Sequence, residues 1–210
     1  MDYVIDKSIR YKDDSLSFLS FSFPARTNKS YKNLFAYLAG RGIPSELIQI
    51  LVDCRLMYQT EVNNNIVFVN YSQDWGEIRG TYTINGASFK GSVKHSRSNG
   101  SWWFRTSDAA ETAYICKSTI DAISLYLIHR HQDNPPEAYY YSIGGLGTWK
   151  QEAIERIRKT HTATILAVDK NVAGTRCREM NLCIPSIIPK KGDWNDDLLY
   201  MLNTNEGLAL

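Results

Sequence analysis

The sequence is short of several things, and each shortage narrows what the protein does. No apolar run approaches the roughly 18 residues of a membrane-spanning helix, so no membrane role is expected. The start, Met1-Asp-Tyr-Val-Ile-Asp-Lys7, is too polar to read as a secretory leader. The cysteines, Cys54, Cys116, Cys177 and Cys183, form no C-x-x-C pair. That argues for reduced thiols in a cytoplasmic protein, against a disulfide framework or a zinc site. There are no internal repeats and no low-complexity segments. From Ile78 to Ser107 there is also no acidic residue.

That acid-free stretch does carry Arg79, Lys90, Lys94, Arg97 and Arg105, interleaved with Tyr82, Phe89, Trp102, Trp103 and Phe104. Cations among aromatics suit phosphate contacts and base stacking, so Arg79, Lys90, Lys94, Arg97, Trp102, Trp103 and Arg105 are candidate nucleic-acid contacts. A basic antiparallel sheet with its aromatics in the core has the same composition, and the two readings coexist. The global charge of +2 decides nothing.

Residues 1–25 read as an N-terminal arm. The alternation Leu16-Ser-Phe-Leu-Ser-Phe-Ser-Phe23 is compatible with a strand closed by Pro24 or with a docking segment. Residues 26–108 read as a helical hairpin followed by strands. Tyr31, Leu34, Phe35 and Leu38 repeat at helical spacing, Gly40-Arg-Gly-Ile-Pro44 interrupts, and Leu47, Ile48, Leu51 and Val52 give a second stripe. Ile66–Val69 and Ile78–Ile84 read as strands, and Asn85-Gly86 is a hairpin signal.

Beyond Asp108 the grammar changes. Strands Tyr114–Cys116, Ala138–Ile143, Thr164–Val168 and Leu182–Ile188 alternate with helices Thr119–His131, Trp149–Thr160, one opening near Gly174, and a last one running through Leu202. Alternation of this kind implies a parallel sheet covered on both faces. Lys117, Asp169 and Asn171 then fall at the carboxyl ends of neighbouring strands, where open α/β sheets place ligand sites. Gly144-Gly-Leu-Gly147 lacks the G-x-G-x-x-G spacing and any following Lys-Ser/Thr. It reads as a tight strand-to-helix turn, with phosphate contact as the alternative.

Residues 113–174 resemble the Toprim domain of bacterial primases and type I and II topoisomerases. The residues that carry the resemblance are Lys117-Ser118, Ile120-Asp121-Ala122 and Asp169-Lys-Asn171-Val-Ala-Gly174. The family pattern is Glu-Gly or Glu-Ser after a strand, then Ile-Asp-Ala, then Asp-x-Asp-x-Ala-Gly. Lys191-Gly-Asp193-Trp-Asn195-Asp196 looks like the Lys-Asp-Trp-Asn segment of Toprim proteins of plasmids and conjugative elements, with Gly192 inserted. Tyr37-Leu-Ala-Gly-Arg41-Gly-Ile43 looks like the segment that precedes Toprim in primase catalytic regions. The resemblance implies an α/β fold: a Toprim-like parallel sheet with helices on both faces, preceded by a small α+β region of helical hairpin and antiparallel sheet. Its Toprim-like domain would span 109–210.

The resemblance also implies a site for Mg²⁺ and phosphodiester chemistry. The family's Glu and two Asp correspond here to Lys117, Asp169 and Asn171, so formal charge at the three positions goes from −3 to 0 (+1, −1 and 0). Hard divalent cations want several carboxylate oxygens, and a lysine stays protonated at neutral pH. Family-type Mg²⁺ binding is expected to be weakened, with Asp169, Asp193 and Asp121 as its remaining candidate ligands. Asp121 also suits a cap or an ion pair with Lys117, and Asp196 and Asp197 suit a helix N-terminus. The expectation is a divergent, primase-like nucleic-acid-binding protein of a mobile element, with Lys117, Asp169 and Asn171 at its site. The alternatives are an active Mg²⁺- or Mn²⁺-dependent nucleotidyltransferase or nuclease using Asp169 and Asp193, and a non-catalytic module binding protein partners of a mobile element or defence system.

Overall fold

A computed structural model describes residues 21–84 and 87–204. The Leu16–Phe23 strand expectation falls largely outside them, as does the Asn85-Gly86 turn. Phe21 and Phe23 do pack against a small cluster of Tyr58, Val67, Val69 and Val93.

The helical hairpin forms as the spacing predicts. α1 (Lys32–Ala39) buries Leu34 and Leu38, and α2 (Ser45–Asp53) buries Leu47, Ile48 and Leu51. Each fully buried Leu or Ile contributes about 1.5–3 kcal/mol, so these stripes fix the pair against the core. The connection turns at Gly42, with φ at +76°, where a β-carbon would stand 2.7 Å from Leu202 Cδ1. A side chain there would be strained by the backbone and would collide with the last helix.

Four strands follow in one antiparallel sheet, β1 (Met57–Gln59), β2 (Ile66–Val69), β3 (Gly76–Ile84) and β4 (Ala87–Ser92), ordered as in the chain. The next strand, β5 (Trp102–Arg105), leaves that sheet. It pairs antiparallel with β7 (Ala138–Ser142) at the edge of the second sheet. The acid-free stretch Ile78–Ser107 is therefore split between two sheets, and the second sheet begins inside the segment assigned to the small region.

The second sheet is ordered β5-β7-β6-β8-β9, with β6 (Thr112–Cys116) and β8 (Ala163–Ala167) parallel at its centre. It is mixed, since β5 adds an antiparallel edge. The fourth parallel strand is shorter than expected: β9 covers only Ser186–Ile187, and Ile184 is held in a turn by its amide bond to the Asn181 carbonyl. α3 (Thr119–Arg130) and α6 (Trp194–Thr204) pack on one face together with the helical hairpin. The other face packs on α4 (Gln151–Thr160), entered through a 3₁₀ turn at Thr148–Lys150, and on α5 (Val172–Glu179). α3 is buried continuously from Thr119 to His129, as a helix must be when sheet, α6 and hairpin all enclose it. Among the described residues no helix is long and apolar enough to cross a membrane.

The two sheets are joined through Glu77 on β3. Its Oε2 accepts hydrogen bonds from Thr119 N at 2.9 Å, Thr119 Oγ1 at 2.8 Å and Ser142 Oγ at 2.9 Å. Oε1 pairs with Arg79 at 3.3 Å. A carboxylate at the N-terminus of α3 complements both the orphan amides and the helix dipole there.

Candidate functional site at the parallel strand ends

β6 and β8 are adjacent, so the residues that follow them meet. Lys117 Nζ stands 2.6 Å from Asp169 Oδ2. Asn171 Nδ2 donates to that same oxygen at 3.0 Å, while Asn171 Oδ1 accepts from Gly174 N at 2.9 Å and caps α5. The three residues meet where the strand-end spacing predicts, and they interact directly with one another. Asp169 is 3% exposed, and its Oδ1 is buried without a hydrogen-bond partner. Its backbone is gripped too. Arg178 donates to the Asp169 and Val168 carbonyls at 3.0 and 3.3 Å, and a β-carbon at Gly174 would sit 2.0 Å from the Asp169 carbonyl oxygen. The glycine of the Asp-x-Asn-x-Ala-Gly segment is thus a steric requirement of the turn.

Burial pulls the Lys117 pKa down. The hydrogen bond to Asp169 and the charges of Asp169, Asp121 and Asp193 outweigh it, so the net shift is upward. The side chain is a persistent ammonium and a poor nucleophile at neutral pH. Asp121 faces the same region and is buried. Ser118 caps α3 by accepting from the Asp121 amide, and its hydroxyl donates to Asp121 Oδ2 at 2.6 Å. Burial, then the Asp193 charge, push the Asp121 pKa up to about 7, against the lowering effect of the Ser118 hydrogen bond. Asp193 accepts from the Asp196 amide at the start of α6 at 2.8 Å.

Asp197 is fully buried and takes the Lys190 and Lys191 amides at 2.8 and 2.7 Å. Trp194 donates its indole N–H to the Ala167 carbonyl at 2.9 Å. Asn195 binds the Arg41 carbonyl at 2.8 Å and accepts from its guanidinium at 3.2 Å. The Lys191–Asp196 segment therefore ties α6 to β8 and to the hairpin turn.

The Asp169, Lys117 and Asn171 set does not fit Mg²⁺. It offers one buried, unpartnered carboxylate oxygen, an ammonium on the other and an amide already engaged twice. An ammonium 4 Å from a dication would repel it by about 8 kcal/mol at an effective dielectric of 20. Among the described residues no cluster of three or more His, Cys, Asp or Glu is placed to hold a metal.

The basic candidates scatter. Lys90 is exposed on β4, and its pKa falls through burial, then through the charges of Arg79, Lys117 and Arg41, with Asp193 opposing. Lys90 thus lies within electrostatic reach of Arg79, Lys117 and Arg41. Tyr82 and Phe89 are 54% and 58% exposed on the same small sheet. Arg79 is 7% exposed and held by Glu77, with a buried Nε that has no partner. Lys94 is exposed, and Arg97 pairs with Asp74 at 3.0 Å. Trp102 is fully buried and donates to the Leu56 carbonyl, which leaves no ring face for a base. Trp103 points to the opposite face of the sheet, half-buried against Tyr71. Arg105 pairs with Asp108 beside Tyr139. Sequence reasoning did not single out Glu77 or Arg178, whose decisive partners, Thr119 and Ser142 for one and the Val168 and Asp169 carbonyls for the other, lie outside their own elements.

The Gly144-Gly-Leu-Gly147 loop adopts the tight-turn alternative. Gly144 and Gly145 have positive φ, the Gly145 amide donates to the Lys117 carbonyl at 2.9 Å, and the Gly144 amide donates to Ser142 Oγ. Those N–H groups are already used.

Residues 114–198 match the Toprim-like family. The match contains Lys117, Asp121, Asp169, Asn171 and Asp193. No curated protein sequence matches the chain. Two similar solved structures come from bacteriophage T7. One is the primase fragment of the T7 primase-helicase protein, 13% identical, with a TM-score of 0.53, covering 79% of this chain and 70% of that one. The other contains the primase domains of two gp4 subunits bound to an RNA/DNA hybrid and dTTP, with the lagging-strand DNA polymerase. It is 13% identical, with a TM-score of 0.52, covering 79% of this chain and 85% of that one. The chain has a Toprim-like domain within a primase-like fold, and the expected fold class stands, with the antiparallel edge as its amendment.

Proposed function

We propose that this protein binds a nucleic-acid strand at the Toprim-like strand ends, with the Lys117 ammonium standing where the family's chemistry calls for a divalent cation. The observation that carries the reading is the Lys117 Nζ to Asp169 Oδ2 contact of 2.6 Å, with Asn171 on the same oxygen. Lys117 supplies internally the positive charge that a buried aspartate requires, and Asn171 adds a hydrogen bond. A strand phosphate would meet Lys117, with Arg41 and Lys90 beside it, and the exposed rings of Tyr82 and Phe89 offer stacking surfaces. Catalysis of the metal-dependent kind is weakened or absent in this reading.

Binding of single-stranded DNA or RNA should fall steeply with salt. Lys117→Ala should weaken it and reduce the slope of log K against log salt by about one. The double variant Lys117→Glu with Asn171→Asp should acquire Mn²⁺ or Mg²⁺ binding by calorimetry, with none expected of the native protein at millimolar metal. An unchanged salt slope in Lys117→Ala, together with no metal binding by the double variant, overturns the proposal.

A second reading is favoured by one observation, the unpartnered buried Oδ1 of Asp169. It is a metal-dependent nucleotidyltransferase or nuclease that uses Asp169 and Asp193. Saturable Mg²⁺ binding by the native protein, abolished by Asp169→Asn, would establish it instead.

A further inference from the structure

We propose that a separate polar pocket, walled by residues 70–74, residues 97–101, β5 and α4, binds a phosphomonoester group. The pocket encloses about 160 Å³. It shares no residue with the strand-end site.

Its walls are fixed from behind. Asn70, 8% exposed, accepts the Asp74 and Trp75 amides on Oδ1, both at 3.1 Å, and donates Nδ2 to Asp74 Oδ1 at 2.6 Å. Ser101, 4% exposed, accepts from Arg156 Nη2 at 2.8 Å, and the same nitrogen reaches the Asn99 carbonyl at 3.3 Å. Tyr71 and Trp103 close one side as a tilted pair with centroids 4.6 Å apart.

Its lining carries two arginines and one aspartate. Arg97 is neutralised by Asp74 at 3.0 Å. Arg156 pairs with no carboxylate among the described residues. Of the two acids nearest it on α4, Glu152 takes Asn99 Nδ2 at 2.7 Å and Glu155 takes Arg158 at 3.4 Å. The Arg156 fork thus spends one nitrogen on neutral oxygens and keeps Nε and Nη1 as donors. Two guanidinium groups and one carboxylate line the pocket, and Glu152 keeps its own charge behind it on Asn99. A planar fork matches the oxygens of a phosphate in a bidentate way. A phosphomonoester is close to a dianion at neutral pH and presents three terminal oxygens to the fork, one more than a strand-internal diester offers. The volume suits a terminal phosphate with part of its sugar, supplied by a free nucleotide or by the 5′ end of a strand.

The test uses the full chain. It is titrated with inorganic phosphate, with a nucleoside 5′-monophosphate, and with one oligonucleotide sequence carrying either a 5′-phosphate or a 5′-hydroxyl. Heat and tryptophan fluorescence are the readouts. Saturable binding is expected, weakened about tenfold by Arg156→Gln, less by Arg97→Gln, and only partly by Arg156→Lys, which keeps the charge but not the fork. Lys117→Ala should weaken both oligonucleotides alike and keep the ratio between the 5′-phosphate and 5′-hydroxyl forms, so failure here and failure at the strand ends are distinguishable. A tighter 5′-phosphate than 5′-hydroxyl oligonucleotide assigns the source to a strand end; equal oligonucleotides with a tighter mononucleotide assign it to a free nucleotide. Because Arg156 also anchors residues 99–101, thermal melting checks each variant, and Arg97→Gln carries the test if Arg156→Gln does not fold. Absence of saturable binding by phosphate, nucleotide and 5′-phosphorylated strand alike overturns the proposal. So does native affinity in folded Arg156→Gln, or in Arg97→Gln where it stands in.

Discussion

One oxygen, Asp169 Oδ2, receives both Lys117 and Asn171, and the residues at the two positions make sense only together. An aspartate at 171 would cap α5 as well as asparagine does, since the Gly174 amide needs only an acceptor. It would also set a second carboxylate beside Asp169 with a single partly exposed lysine between them. Asn171→Asp is therefore expected to destabilise the protein by about 1–2 kcal/mol at low ionic strength, relieved by salt. A variant as stable as the native protein in urea denaturation at both ionic strengths would contradict the charge argument. Gly174 makes the complementary steric case. Its missing β-carbon would lie 2.0 Å from the Asp169 carbonyl oxygen, so Gly174→Ala should cost about 2–4 kcal/mol through backbone displacement.

Between elements, the junction of the two sheets rests on Glu77. Removing its carboxylate leaves Arg79, the Thr119 amide and hydroxyl, and Ser142 without their acceptor in a buried site. Glu77→Ala is expected to cost about 3–5 kcal/mol, with Glu77→Gln intermediate because one oxygen remains; equilibrium unfolding measures both. This junction was not legible in the sequence, because Glu77 acts across 42 residues on Thr119 and 65 on Ser142. The elements whose signals are local were legible. The hairpin stripes, β2, and the alternation after Asp108 each follow from spacing within a dozen residues. β5 shows the limit. Trp102-Trp-Phe-Arg105 alternates equally well in either sheet, and only its distant partner β7 settles that Trp102 is core. At the site, the positions of Lys117, Asp169 and Asn171 followed from strand-end spacing. The grip of Arg178 on the Asp169 backbone had no pattern to announce it.

Over the whole molecule, two buried titratable groups set opposing responses to pH. His129 is enclosed by Tyr114 and Tyr140, and its Nδ1 meets the Tyr140 hydroxyl at 2.7 Å. Burial lowers its pKa from 6.5 to about 4. Between those values the unfolded chain binds the proton and the folded one does not, so stability present above pH 6.5 is lost as pH falls toward 4. Asp121 works the other way. Its pKa rises from 3.8 to about 7, so the folded chain binds the extra proton, and stability present below 3.8 is lost as pH rises through 7. At about 1.4 kcal/mol per pKa unit each contribution is about 3–4 kcal/mol, and within their shared window they largely cancel. Subtracting variant from native stability isolates each one, because the remaining groups are common to both. Asp121→Asn removes the falling component, so its stability relative to native should climb as pH goes from 4.5 to 6.5. His129→Phe removes the rising component, so its relative stability should decline over the same range, on top of a constant loss from the unpaired Tyr140 hydroxyl. Urea unfolding of the three proteins at four pH values reads both slopes, and parallel curves would show that neither group changes its protonation on folding.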